Sequence, residues 1–96
     1  MLELRPLCEN CGKLLPADSV EAMICTFECT FCQDCVRNVL HNVCPNCGGG
    51  FEKRPVRPKA ELEKHPASSM DVLKPVDREK FKLLLDRYSA IDPELR

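Results

Sequence analysis

All eight cysteines of this 96-residue chain lie between positions 8 and 47, and four of them fall within CTFECTFCQDC, residues 25–35. No apolar run is long enough for a secretory signal or a membrane span, so we expect a soluble, cytoplasmic protein. Because a reducing cytosol disfavours structural disulfides, eight thiols at this density indicate metal binding.

The segment that carries the cysteines is poor in large apolar side chains. It has no Trp or Tyr, and its Phe and Ile residues are Ile24, Phe27, Phe31 and Phe51. So small a core does not offset the conformational entropy that is lost on folding. Structural zinc contributes roughly 10–16 kcal/mol in small finger peptides. We therefore expect Zn²⁺, two ions per chain, to hold this region together.

The eight cysteines form four pairs, which two zinc ions can share in three ways. A sequential arrangement joins the first pair with the second, and a nested one crowds the second and third pairs around one ion. A crossed arrangement joins the first pair with the third. Chain geometry favours it, because a Cys-x2-Cys turn combined with a pair at a helix start is the treble-clef arrangement. The crossed ligand sets are Cys8, Cys11, Cys32 and Cys35 for zinc 1, and Cys25, Cys29, Cys44 and Cys47 for zinc 2.

Local sequence around the pairs agrees with metal-binding turns. In CENCG and CPNCG a glycine follows the second cysteine, and Pro45 restricts the backbone of the second turn. Cys35 leads directly into VRNVL, for which we predict a short helix whose first turn carries ligands.

The order and spacing of the cysteines resemble those of a RING finger, in which four ligand pairs bind two zinc ions in a cross-brace. CTFECTFCQDC resembles the RING middle block, including Phe31 directly before Cys32, and CPNC resembles its closing CPxC. Over residues 1–58 the chain also resembles a small family of cysteine-rich bacterial proteins that open with MLELRP and close their metal region with CPNCGG. The first resemblance implies a RING-like fold, and the second implies zinc but no activity.

Four positions depart from the pattern of RING ubiquitin ligases. Cys29 stands where most RING fingers place histidine, Asn10 replaces an apolar residue, and Gly48 replaces a basic one. The segment VRNVLHNV also lacks the usual aromatic residue. In RING ligases the last three of these positions contact the ubiquitin-conjugating enzyme, so a degenerate ligase-like domain is a minor alternative.

An iron–sulfur protein is the least favoured alternative. Cys25, Cys29 and Cys32 have the C-x3-C-x2-C spacing of radical SAM enzymes, but this chain is far shorter than such an enzyme. A cluster on these three residues also leaves two cysteine pairs unused, whereas two zinc ions use every thiol. Catalytic zinc needs an open coordination position, which Cys₄ sites lack, so we expect no enzyme activity.

The chain after the cysteines divides into two predicted segments. Residues 53–76 read as a proline-rich linker that starts with a basic run made of Lys53, Arg54, Arg57 and Lys59. A short helical turn within KAELEKH is weakly supported by the sequence. Residues 77–92 read as an amphipathic helix with Asp77 as N-cap and one apolar stripe: Phe81, Leu84, Leu85, Tyr88 and Ile91. We expect the stripe to pack on the zinc module or on a second copy of the chain, and less readily on another protein.

The sequence as a whole predicts a small α+β zinc-binding domain at residues 1–52, RING-like or treble-clef, with a C-terminal helical extension. The most favoured function is protein–protein interaction or a regulatory adaptor role, with an unknown protein as partner. Nucleic acid is a less favoured partner, because each Cys₄ zinc site adds a net charge of −2 and takes the chain from −1 to about −5. No membrane partner is expected.

Overall fold

A three-stranded antiparallel sheet and one short helix form the frame of the cysteine-bearing region, and six of the eight cysteines lie in its turns and loops. The structure is a computed structural model that describes residues 1–96. In the sheet, β1 (Ala22–Ile24) lies between β2 (Thr30–Cys32) and β3 (Glu52–Lys53). Helix α1 (Gln33–Asn38) begins directly after β2. This arrangement confirms the predicted α+β class.

The register of β1 and β2 determines where two cysteine pairs lie. Ala22 is opposite Cys32 and Ile24 is opposite Thr30, so residues 25–29 form the loop of a hairpin. Cys25 and Cys29 therefore stand at the two ends of this loop. The following pair lies at the end of β2 and in the first turn of α1.

The chain after β3 forms three short helices: α2 (Lys59–Leu62), α3 (Arg78–Tyr88) and a 3-10 helix (Pro93–Leu95). Within the predicted linker, α2 corresponds to the weakly supported turn in KAELEKH. Helix α3 begins after Asp77, whose carboxylate accepts hydrogen bonds from the Glu79 and Lys80 N–H groups. None of these helices has the length and apolarity needed to cross a membrane.

Cysteines make up nearly half of the core. Six of its fourteen residues are cysteines, and the largest fully buried apolar side chains are Phe31, Leu15, Leu40 and Val43. The rings of Phe31 and Phe51 meet edge to face at 5.4 Å. Since nearly half of the core consists of small side chains with a reactive sulfur, apolar burial contributes little of the free energy that a domain of this size needs.

Helix α3 packs against the cysteine-bearing module of its own chain. Phe81 is only 4% exposed and belongs to the same core as the thiols. Other residues of the extension are partly buried against that core: Val76, Leu84, Leu85 and Tyr88. The apolar stripe was expected to pack on its own module, on a second copy of the chain or on another protein. In the structure it packs on its own module.

Arg54, which the sequence places in an exposed basic run, is instead buried. The residue is only 2% exposed, and its guanidinium group forms no salt bridge. Burial lowers the pKa of Arg54. Three backbone carbonyls accept its hydrogen bonds at 2.9–3.1 Å: those of Arg5, Leu15 and Pro16. The planar fork of the guanidinium joins the N-terminal segment to β3, a contact that charge patterning does not reveal.

Replacing Phe81 by alanine should release α3 from the module. Removing a buried phenylalanine costs about 3–5 kcal/mol, and an isolated helix of this length is marginal in water. We expect the amides of residues 78–88 to lose protection in hydrogen-exchange mass spectrometry. Leu83→Ala is the matched control, because Leu83 lies on the same helix but is 74% exposed. Equal loss of protection in both variants would contradict this packing.

Candidate metal centres

Two Cys-x2-Cys turns share one backbone conformation. In knuckle 1 (residues 8–12) the Gly12 N–H donates to the Cys8 carbonyl at 2.9 Å. In knuckle 2 (residues 44–48) the Gly48 N–H donates to the Cys44 carbonyl at 2.8 Å. Both glycines have a φ of +77°. A side chain at either position would be strained, which is the physical reason for a glycine after each second cysteine.

The other two pairs are held by the hairpin and by α1. The Cys25 N–H donates to the Cys29 carbonyl at 3.3 Å across the hairpin loop, and Glu28 takes a φ of +63° to close it. Cys32 is the N-cap residue of α1, and Cys35 lies in the first turn of that helix. Each pair is therefore presented by a short, hydrogen-bonded backbone unit.

Cluster 1 consists of the first and third cysteine pairs. The four sulfur atoms all lie within 4.8 Å of one another, and they belong to Cys8, Cys11, Cys32 and Cys35. The Cys11 and Cys32 Sγ atoms are 3.7 Å apart. A tetrahedral metal with four bonds of about 2.3 Å has sulfur–sulfur edges of about 3.8 Å. All eight thiols of the chain are free, so cluster 1 fits one tetrahedral ion.

Cluster 2 is built from the second and fourth pairs. The Sγ atoms of Cys25, Cys44 and Cys47 lie within 4.8 Å of one another. Cys29, at the other end of the hairpin loop from Cys25, is not among these converging sulfurs. Its sulfur accepts a hydrogen bond of 3.4 Å from the Asn46 amide. The two clusters together are able to hold two metal ions.

Each cluster combines buried cysteines with one exposed cysteine. Three cysteines of cluster 1 are buried and Cys11 is exposed, and in cluster 2 the exposed residue is Cys47. Both exposed residues are the second cysteine of a knuckle. Metal can therefore reach each cluster from the outer end of its knuckle.

Without metal, burial and neighbouring groups shift the pKa values of the cluster thiols. Burial raises the pKa of Cys32 and Cys35 in cluster 1, and that of Cys29 and Cys44 in cluster 2. Cys8 differs. Burial raises its pKa, but backbone N–H groups directed at its sulfur outweigh that effect and leave the pKa lowered. A divalent cation would remove the cost of ionising these buried thiols.

Two asparagines donate hydrogen bonds to cluster sulfurs, one in each knuckle. The Asn10 Nδ2 group donates to Cys35 Sγ at 3.4 Å, and the Asn46 Nδ2 group donates to Cys29 Sγ at 3.4 Å. Each bond runs from a knuckle to the other pair of the same cluster. Sequence reasoning treated Asn10 only as a departure from RING ligases. The shared C-x-N-C pattern of the two knuckles was the signal that could have identified both donors.

The remaining ionisable residues form no further metal site. The two thiol clusters are the only groups of three or more Cys, His, Asp or Glu side chains whose ligand atoms converge. His41 is exposed in the turn after α1, and His65 is exposed after α2.

Both clusters lie within the part of the chain that matches a protein-family model. The family model described as "Protein of unknown function (DUF1272)" matches residues 1–57, which include all eight cysteines. An uncharacterised protein of Rhizobium meliloti (strain 1021) is 60% identical over 75 residues, which cover 78% of this chain and 89% of the relative. No solved structure gives a significant match.

Proposed function

Because this chain belongs to the DUF1272 family, whose description states no activity, we propose its function from the two thiol clusters. The proposal is a structural two-zinc module with a RING-like, cross-braced treble-clef fold. It acts in protein–protein interaction as a regulatory adaptor and performs no catalysis. The observation that carries it is the convergence of the first cysteine pair with the third, and of Cys25 with the fourth pair.

The chemistry of the donors supports zinc. Clusters of four thiolates select soft or borderline metals and suit the tetrahedral preference of Zn²⁺. A sulfur–sulfur distance of 3.7 Å in cluster 1 leaves room for one ion and not for a four-iron cluster. The C-x3-C-x2-C set is also divided, because Cys32 lies in cluster 1 while Cys25 lies in cluster 2. Both facts favour zinc over an iron–sulfur cofactor.

The fourth ligand of the second zinc is Cys29 in this proposal. Cys29 is buried, and it shares the hairpin loop with Cys25. Its pKa is raised by burial, while the Asn46 hydrogen bond acts in the opposite direction. A cation placed among the other three sulfurs would attract this thiol as a thiolate. Two closed Cys₄ sites leave no coordination position for a substrate.

The surface of the module supports a protein partner better than nucleic acid. Phe27 lies in the loop of the β1–β2 hairpin and is 71% exposed, and aromatic side chains are enriched in protein interfaces. The basic run at residues 53–59 offers fewer free cations for nucleic-acid binding than its sequence indicates. Arg54 is buried, and Arg57 donates to the carbonyls of Leu2 and His65.

Native mass spectrometry and a visible spectrum of untagged, anaerobically purified protein test the metal assignment. We expect two zinc ions per chain and a colourless solution. Iron with brown absorbance would overturn the proposal.

A pull-down tests the adaptor role. We expect the immobilised wild-type chain to retain a specific protein, and the Phe27→Ser variant not to retain it. If the wild-type chain and the Phe27→Ser variant retain the same proteins, and moderate salt releases all of them, the adaptor role is contradicted.

Acidification should release the zinc ions. Binding to zinc lowers the pKa of a ligand thiol below its unfolded value of about 8.5. A group whose pKa is lowered in the zinc-bound state stabilises that state fully when the pH is above the unfolded pKa. This stabilisation is lost as the pH falls through the lowered pKa of the zinc-bound thiol. Because burial raises the pKa of Cys29 and Cys32 without metal, zinc must displace their protons. We expect apparent affinity to fall about tenfold per pH unit for each proton displaced, as measured by chelator competition. Affinity independent of pH would contradict thiolate ligation.

A further inference from the structure

Part of the C-terminal extension lies across knuckle 1. The Lys74 N–H donates to the Glu9 carbonyl at 2.7 Å, and the Val76 N–H donates to Asn10 Oδ1 at 3.0 Å. Leu73 reaches the glycine of the knuckle, since its Cδ1 atom lies 3.6 Å from where a Gly12 Cβ would be. We call residues 73–77 the strap. It lies beyond residue 57, where the family match ends.

The strap determines which way the Asn10 amide faces. An asparagine side chain has one acceptor end and one donor end. With Oδ1 accepting from Val76, the Nδ2 group is directed at Cys35 Sγ, 3.4 Å away. The chain of contacts therefore runs from a backbone N–H of the strap, through Asn10, to a buried sulfur of cluster 1. A hydrogen bond to a thiolate ligand orients it and tunes the metal site.

Cluster 2 provides an internal comparison. Asn46 makes the equivalent bond to Cys29, but the strap donates no hydrogen bond to Asn46. The extension does touch knuckle 2 elsewhere. The ring of Tyr88 covers Gly48, and the Arg96 guanidinium donates to the Gly48 carbonyl. Those contacts are made with the turn and do not pass through a side chain that bonds to sulfur.

We propose that the strap controls how tightly cluster 1 holds its metal, with Asn10 as the positioning residue. The inference rests on the proposed zinc function and adds its regulation. When the strap lifts, the Asn10 amide loses the bond that orients it, Cys35 loses its donor, and cluster 1 exchanges its metal faster than cluster 2. A partner that binds the extension would thereby weaken one zinc site selectively.

Val76→Pro tests this inference, because it removes one N–H group. The matched control is Lys74→Pro, which removes a strap N–H that bonds to a backbone carbonyl and not to Asn10. Zinc transfer to a chromogenic chelator should show one phase per cluster. We expect Val76→Pro to accelerate one phase about 10-fold or more, because loss of an outer-shell partner weakens metal binding by about that factor. Lys74→Pro should have a much smaller effect. Asn10→Ala should accelerate the same phase, and Asn46→Ala the other.

Coupling between the two positions separates a relay from general loosening. In the Asn10→Ala background, Val76→Pro should cause no further acceleration, because the bond that it breaks is already absent. Cadmium-113 NMR of the Cd²⁺-loaded chain should show two resonances, of which Val76→Pro shifts one. Equal acceleration of both phases, or full additivity of the two substitutions, would overturn the inference. The zinc function itself is judged separately by the wild-type stoichiometry, which must be two.

Discussion

Chelating the bound metal at neutral pH unfolds residues 1–57: this is the largest effect that we expect on this chain. Six of the fourteen core residues are cysteines, so removal of the metal leaves crowded thiols where other domains have apolar side chains. Structural zinc contributes roughly 10–16 kcal/mol in small finger peptides. That exceeds or matches the whole stability of a typical domain, about 5–15 kcal/mol. Loss of dispersed amide resonances in a two-dimensional NMR spectrum would report the unfolding.

Two controls make the chelation experiment specific. Adding Zn²⁺ back should restore the spectrum, whereas Mg²⁺ should not, because it is a hard cation that prefers oxygen ligands. Residues 78–88 should lose their protection together with the module, since Phe81 shares the core with the thiols. A metal-free chain that keeps the dispersed spectrum of the loaded one would show that the clusters do not stabilise the fold.

Pairs of Cys→Ser substitutions should remove either one metal or both, depending on which thiols share an ion. In the crossed arrangement Cys8 and Cys32 bind the same ion, so the double variant Cys8→Ser, Cys32→Ser keeps one metal per chain. Cys8 and Cys25 bind different ions, so the double variant Cys8→Ser, Cys25→Ser keeps none at stoichiometric zinc. Native mass spectrometry gives the count directly, and serine is chosen because it preserves the size of the side chain.

The same variants discriminate against the other two arrangements. A sequential arrangement reverses the result, since Cys8 and Cys25 would then share an ion. A nested arrangement leaves no metal on either variant but one metal on Cys8→Ser, Cys44→Ser. One ion on the Cys8 and Cys32 variant together with none on the other two is the only outcome that agrees with the two clusters of the structure.

Local features of this protein follow from short stretches of its sequence. The glycines of CENCG and CPNCG predict turns with positive φ, and both adopt it. Asp77 before an apolar stripe predicts the start of a helix, and α3 begins at Arg78. These features depend on nearest neighbours along the chain, where steric restrictions and capping hydrogen bonds act over a few residues.

Contacts between distant segments were not readable from the same patterns. Arg54 looked like one cation of an exposed run, but it binds the Leu15 carbonyl from 39 residues away. Asn10 looked like a missing contact of a RING ligase, but it bonds to Cys35 and to the strap. The residue type shows which hydrogen bonds a side chain is able to donate. It does not show which acceptor the fold places beside that side chain.

The sequence by itself indicated a small cysteine-rich α+β domain with little apolar core, because eight cysteines fall within forty residues. It also determined the turns that present them. Only the tertiary structure decided which pairs meet, because the hairpin register and the position of α1 place the first pair beside the third. It also decided that α3 covers its own module, since burial of Phe81 depends on the shape of a distant core. Packing over long sequence separations, and not local propensity, made both choices.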